Sequence, residues 1–347
     1  MGEFITRVVP IDPTTPDRIA IAEAASLIRA GQLVAFPTET VYGLGADGLN
    51  PIALGRIYTV KGRPPDNPLI LHLASRDQLP LVAADVPAIA QRLMQAFWPG
   101  PLTLILPKTS DVPDLATAGL TTVAVRMPAH PVALALINAA QTPLAAPSAN
   151  RSGLPSPTTA QHVCDDLRGR IPLILDAGTT RIGLESTVLD VTCIPPIILR
   201  PGGITREAIE AVVGHLREVA SMAQQGRSPG TRYRHYSPSA RVWLVEDAQA
   251  ETLQVAVAKA LQHGERVGCL LHRLEPNQLP PLVKVIRLSG SLADYAQGLF
   301  SALRGLDGLG LDVIVVEGVQ EQGLGVAVMD RLRRAASPPD PSPGFTA

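Results

Sequence analysis

The stretch LVAFPTETVYGLGADGLNPIALGRIYTVKGRPPDNPLILHL, Leu33–Leu73, reads as a strand, a glycine-rich turn, a helix, a basic loop broken by proline, and a second strand. Leu33–Phe36 and Leu69–Leu73 are short apolar runs closed off by prolines, the pattern of buried strands. Gly62, Pro64 and Pro65 cannot continue a helix, so Lys61 and Arg63 are expected on an exposed, stiff loop. A solvated loop is the plain reading of two such charges. Their neighbours argue for more. Thr38, Glu39 and Thr40 follow the first strand directly, and Tyr42-Gly43-Leu44-Gly45 offers glycines that let backbone N–H groups approach a ligand. His72 alternates with Leu71 and Leu73 and so projects from the opposite face. Two cations beside hydroxyls and an imidazole make an anion site. Lysine occurs only at Lys61, Lys108, Lys259 and Lys284, against 30 − 4 = 26 arginines, so Lys61 departs from the chain's own habit.

Working outward, apolar runs at Leu102–Leu106, Val123–Met127, Leu173–Leu175, Thr187–Val191 and Ile197–Leu199 also predict strands. Helical periodicity appears at Asp17–Ala30, Ala88–Phe97, Pro131–Ala140 and Thr159–Leu167. Tight hairpin signals are scarce, which favours an α/β sheet of mixed pairing. Residues 219–240 break every periodicity and read as an interdomain linker. Beyond them come strand Val242–Val245, helix Ala248–Leu261, strands Arg266–Leu271 and Val283–Leu288, helix Leu292–Leu303, strand Val313–Glu317 and helix Gly325–Arg334. That alternation predicts a smaller doubly wound unit over 241–336, followed by a frayed tail at 337–347. Residues 1–218 form the first domain.

Composition excludes several classes. A chain of 347 residues, 46% apolar and 18% charged, has material for two packed domains. A net charge of −1 gives no global pull on nucleic acid or anionic membrane, and 3% aromatics do not make a platform for several bases. Cys164, Cys193 and Cys269 are too far apart to pair at metal or redox spacing and read as small buried hydrophobes in a reducing compartment. No histidine has a zinc-like partner, so a protein-built metal site is not expected. The N-terminus lacks the apolar core of a signal peptide, and no window reaches the length of a membrane span. A cytoplasmic location is expected.

Further polar residues sit at strand ends. Thr122 and Arg126 lie on the alternating run TTVAVRMP, where an arginine facing the sheet needs an anionic partner. AAPSANRSGLPSPT spreads Ser148, Asn150, Ser152 and Ser156 over a loop rich in proline and glycine, for which a plain loop is the ordinary reading and a cradle for phosphate oxygens the sharper one. LESTVLD places Glu185 and Ser186 at a strand entrance, and ILRPGG ends a strand on Arg200. SPGTRYRHYSP spends Arg232, Tyr233, Arg234, His235 and Tyr236 in one short segment, more than a spacer requires, and is expected to fold over a site as a lid. There is no phosphate-loop motif, kinase signature or G-x-S-x-G elbow. The residues alone reach an anion-binding α/β enzyme and stop short of its reaction.

PTETVYGLG, KGRPPDNPLILHL, AAPSANRSG, LESTVLD and ILRPGG together resemble the YrdC-type threonylcarbamoyl-adenylate synthases. SPGTRYRHYSP and the second unit resemble the longer, two-domain Sua branch. The resemblance implies a twisted, open mixed sheet with a concave basic groove, joined to a Rossmann-like C-terminal domain. It implies a nucleotidyltransferase that converts L-threonine, bicarbonate or CO₂, and ATP to threonylcarbamoyl-AMP and pyrophosphate, for modification of tRNA next to the anticodon by a downstream threonylcarbamoyl-transferase complex. Carried over, Thr40, His72, Arg126, Ala146 and Ser186 would surround L-threonine. Arg63, Asn67, Thr122, Ser148, Ser156, Arg200 and Tyr236 would hold ATP, with Lys61 and Arg63 as the catalytic cations and Mg²⁺ carried on the triphosphate. An RNA-binding module with weak tRNA contact, and carbamoyl transfer from carbamoyl phosphate, are the competing readings.

Overall fold

The computed structural model describes residues 4–218, 235–246 and 248–336. Residues 219–234, most of the expected linker including Arg232, Tyr233 and Arg234, lie outside the described residues, as does the expected tail from residue 337. Two compact units emerge, residues 1–152 with 156–229, and 153–155 with 230–347.

In the first unit ten strands form one mixed sheet. Along the chain they are β1 (Arg7–Pro10), β2 (Val34–Phe36), β3 (Gly43–Asp47), β4 (Ile70–His72), β5 (Leu102–Pro107), β6 (Thr122–Arg126), β7 (Leu144–Ala145), β8 (Leu173–Asp176), β9 (Thr187–Asp190) and β10 (Ile197–Arg200). Across the sheet the order is β1-β8-β2-β3-β7-β4-β6-β5-β9-β10. All seven strands expected here form, and β1, β3 and β7 are additional. Helices α1 (Arg18–Arg29) and α5 (Pro131–Ala140) pack together over β2 and β8, through Ile21, Ile28, Leu136 and Ile137 against Val34, Phe36 and Leu175. Helices α2 (Pro51–Lys61), α3 (Ala88–Phe97), α4 (Asp114–Thr117), α6 (Ala160–Leu167) and α7 (Arg206–Val213) gather on a larger core with Leu69, Leu71, Leu104, Val123, Val125 and Leu189.

The opposite face of β4, β6, β5, β9 and β10 carries only a small cluster of Ile70, Ile105, Ala124, Val188, Ile197 and Leu199. No described helix contributes to that cluster. This face is the floor on which the polar residues stand.

Two local expectations are corrected. Tyr42-Gly43-Leu44-Gly45 is not a ligand-facing turn: Gly43–Asp47 is strand β3, antiparallel to β2 with Gly45 opposite Val34. Its glycine answers a packing need, since a Cβ on Gly45 would stand 2.8 Å from the Phe36 ring. Lys61 and Arg63 are not exposed either; they are 4% and 8% accessible. Helix α2 starts at Pro51 with the Asn50 side chain accepting from the Ile52 and Ala53 N–H groups, and ends at Gly62 in the left-handed conformation, φ 63°. Lys61 is therefore its last residue, and the turn at Gly62 sends both side chains inward. No disulfide joins the cysteines among the described residues; Cys164 and Cys269 are buried as expected, whereas Cys193 is half-buried.

The second unit holds four parallel strands, β11 (Arg241–Val245), β12 (Val267–Leu271), β13 (Lys284–Arg287) and β14 (Val313–Glu317), in the order β11-β14-β12-β13. Helices α8 (Ala250–Gln262), α9 (Leu292–Asp307) and α10 (Leu324–Ala336) complete the doubly wound pattern that the sequence predicts.

Gly202 shows how tightly the strand entrances pack. A Cβ there would meet the Glu185 carbonyl oxygen, the Ser186 carbonyl carbon and the Thr187 nitrogen, each at 2.4 Å. These are backbone atoms with nowhere to go. Gly202→Ala is expected to lower unfolding stability by about 1–3 kcal/mol, measured by urea denaturation, whereas a wild-type midpoint would show that the segment yields freely.

Candidate active site

Strand register places the polar residues in one row. His72 of β4 stands beside Arg126 of β6, Arg126 is opposite Thr103 of β5, and Thr103 neighbours Val188 of β9 just after Ser186. Arg200 joins them through a bulge. Ile197 pairs with Asp190 and Ile198 with Leu189, but Val188 pairs with Arg200, leaving Leu199 as the extra residue. Without that insertion Arg200 would share a face with Ile198; the bulge turns it onto the face of Val188 and Arg126.

At the centre, Arg126 is 3% exposed and its guanidinium is held on three sides. Nη2 lies 2.7 Å from a Glu39 carboxylate oxygen, Nη1 donates to Thr40 Oγ1 at 3.0 Å, and Nε donates to the Gly100 carbonyl at 3.2 Å. Thr40 and Thr38 share a hydroxyl hydrogen bond of 2.8 Å, and Thr38 Oγ1 donates to the Val41 carbonyl at 2.7 Å. The Ile182 and Gly183 N–H groups bond the carbonyls of Glu39 and Thr40, so the loop from β2 to β3 is pinned on both sides. Burial pushes the Glu39 carboxyl up, but the Arg126 charge, with N–H donors from Ala129 and Arg126, outweighs it and holds the group below its ordinary 4.5. His72 is pushed down to about 3, first by burial and then by Arg126. It is a neutral imidazole, with Nδ1 3.2 Å from the Ile70 carbonyl.

Around this centre, Thr103 Oγ1 and Ser186 Oγ lie 2.7 Å apart, and Arg200 Nη2 donates to the Ser186 carbonyl at 2.9 Å and to its hydroxyl at 3.2 Å. Ser156 Oγ donates to Glu185 at 2.6 Å. The Ala146 N–H bonds the Ile70 carbonyl, and Ser148 bridges to Gly43. Lys61 Nζ donates to the Ser148 carbonyl at 2.6 Å and to that of Asn150 at 2.5 Å. Arg63 donates to the carbonyls of Asn67 and Pro68, at 3.2 and 2.8 Å. Thr122 starts β6, on the same face as Arg126 by strand alternation but four residues away, about 13 Å at about 3.3 Å per residue. Ile70 and Ala124 lie between. The face thus has a polar end at Arg126, with the hydroxyl residue Thr122 at the far end of the same strand.

Tyr236 belongs to the second unit. It is buried at φ 64°, its ring stacked on Phe300 at 5.2 Å with the Arg331 guanidinium 5.3 Å from the ring centre. Glu39 was legible in the sequence only as a neighbour of Thr38 and Thr40. Glu185 stood out as a strand-entrance residue of LESTVLD, whereas the contributions of Thr103, Ile182 and Gly183 carry no sequence signal that periodicity or motif would raise.

The first unit is thus an open mixed sheet that carries a one-sided row of polar residues centred on the buried Arg126. A family model for Sua5, YciO and YrdC proteins, described as telomere recombination, matches residues 26–202, and the model of the threonylcarbamoyl-AMP synthase C-terminal domain matches residues 204–337. The chain is 50% identical over 320 residues to the threonylcarbamoyl-AMP synthase of Pyrococcus abyssi, covering 90% of this chain and 93% of that one. The Bacillus subtilis threonylcarbamoyl-AMP synthase is 48% identical, with 91% and 92% covered. The crystal structure of P. abyssi Sua5 complexed with L-threonine superposes with a TM-score of 0.89 at 47% identity, covering 95% of this chain and 97% of that one. The chain belongs to the Sua5/YciO/YrdC family, in its two-domain form.

His72 and Glu39 both have folded pKa values below their unfolded ones. Such groups give stability that is complete above the unfolded pKa and lost as pH falls toward the folded one, because the unfolded chain takes up the protons first. For His72 the window runs from 6.5 down to about 3. His72→Asn is expected to flatten the stability–pH curve there by up to about 1.4 kcal/mol per pH unit, read from denaturation midpoints; an unchanged slope would mean that the imidazole is not buried neutral.

Proposed function

We propose that the chain is a threonylcarbamoyl-AMP synthase: L-threonine, bicarbonate or CO₂, and ATP give threonylcarbamoyl-AMP and pyrophosphate. The observation that carries this reading is the polar row of His72, Arg126, Thr103, Ser186 and Arg200 on one face of the sheet, with Thr122 about 13 Å along it, in a chain of this family. Arg126 takes the threonine carboxylate, its planar fork already set by Glu39, Thr40 and Gly100. Thr40, His72, Ala146 and Ser186 line the amino-acid end. Neutral His72 hydrogen-bonds there without adding charge.

Threonine's amine takes up CO₂ to form a carbamate. A carbamate oxygen then attacks the α-phosphorus of ATP, the bond from that phosphorus to the β-phosphate bridge breaks, and pyrophosphate leaves. The protein's share is positioning and cationic stabilisation of the phosphoryl charge. Lys61, fixed by the carbonyls of Ser148 and Asn150, and Arg63 supply that charge, with Asn67, Thr122, Ser148, Ser156, Arg200 and Tyr236 holding the nucleotide. Mg²⁺ arrives on the triphosphate as part of the substrate.

The domain division follows: 1–218 catalytic, 219–240 linker and lid, 241–336 the C-terminal Sua-type domain and 337–347 a tail. The intermediate passes to a separate tRNA threonylcarbamoyl-transferase complex, with at most weak tRNA contact. No described helix is long and apolar enough to cross a membrane, and we assign the protein to the cytoplasm.

Pyrophosphate release from ATP and bicarbonate is expected to require L-threonine and to fall sharply with L-serine. Lys61→Ala and Arg63→Ala should each slow it by about 100-fold or more while the far-UV circular dichroism stays native. Threonine-independent release, or wild-type turnover in either variant, would contradict the assignment. Tyr236→Ala should raise the KM for ATP; an unchanged KM would remove Tyr236 from the nucleotide site.

A further inference from the structure

Tyr236 apart, the second unit takes no assigned part in this chemistry, yet it holds a cavity of about 410 Å³ lined by Gln249, His272, Arg273, Glu317, Gln320 and neighbouring residues. Its volume lies in the range of small-molecule sites. It opens at the carboxyl ends of β11, β14 and β12. The chain leaving β12 goes to β13 on one side, whereas the chain leaving β14 goes to α10, which packs on β11 on the other. Adjacent strands whose connections part in this way open a crevice, the place where doubly wound sheets bind ligands.

The lining chemistry is specific. His272 is 6% exposed, its ring 4.8 Å from that of Tyr295, and its Nδ1 is 2.9 Å from the Leu288 carbonyl. A carbonyl only accepts, so Nδ1 carries a proton, and Nε2 has no hydrogen-bond partner among the described residues. Glu317, 1% exposed, accepts the N–H groups of His272, Arg273 and Leu274 at 2.7, 3.1 and 3.1 Å. Its charge is thereby taken up by the backbone, and the loop after β12 is fixed as a rigid wall. Helix α8 opens beside Ala248 and Gln249, so its positive end falls on the cavity, and the exposed Arg273 adds a full charge.

We propose that this cavity binds a small organic phosphate bearing hydroxyl groups, the phosphate at the start of α8 and Arg273 and a hydroxyl donating to His272 Nε2. Calorimetric titration of the full chain with ribose 5-phosphate and with inorganic phosphate tests it. Ribose 5-phosphate should bind saturably with Kd below about 1 mM, and inorganic phosphate should bind at least fivefold more weakly, on the order of 1 kcal/mol. Arg273→Ala, at an exposed position that does not endanger folding, and His272→Gln should each weaken ribose 5-phosphate by at least about fivefold. Lys61→Ala, in the first unit, should bind it unchanged. Absence of saturation, equal affinity for the two probes, or binding lost in Lys61→Ala but retained in both second-unit variants would overturn the site.

Discussion

A buried arginine cannot stand alone, and the first unit is arranged around satisfying one. Removing Arg126 from water costs several kcal/mol unless an opposite charge and well-placed acceptors meet it. Glu39, Thr40 and Gly100 meet it from loops of the same unit. Glu39 in turn needs its own loop held, which the N–H groups of Ile182 and Gly183 do. Such a pair is a weak source of net stability, but losing one partner alone costs about 3–5 kcal/mol. It fixes the guanidinium at the place we propose for the threonine carboxylate.

The same logic runs along the groove. Arg200 is spent on Ser186, Ser156 on Glu185, and Lys61 on two carbonyls. These groups are oriented before any substrate arrives, so little reorganisation accompanies the reaction. Between the ends, short side chains such as Ala124 leave the floor low. The glycines at Gly45, against the Phe36 ring, and Gly202, against the backbone of Glu185–Thr187, permit contacts a Cβ would block.

Much of this was legible in the sequence. The apolar runs gave the strands because buried strands need little else, and alternation turned His72 away from Leu71 and Leu73, though only the register of β4 with β6 sets it beside Arg126. Strand β3 was hidden because Gly43–Asp47 has no β-branched residue and its Gly45 serves Phe36. Lys61 read as solvated because its acceptors, the Ser148 and Asn150 carbonyls, come from a loop 87 and 89 residues away. The bulge at Leu199 is a register event between two strands, and neither strand announces it alone. The motif resemblance supplied the chemistry that spacing could not.

The central claim is that Glu39 sets Arg126 for the threonine carboxylate. A double-mutant cycle with Glu39→Gln and Arg126→Gln, read as L-threonine affinity by calorimetry, tests it most directly. A coupled fork predicts that each single change weakens threonine binding and that the double variant is little worse than Arg126→Gln alone. Additive losses, or wild-type affinity in Glu39→Gln, would contradict it.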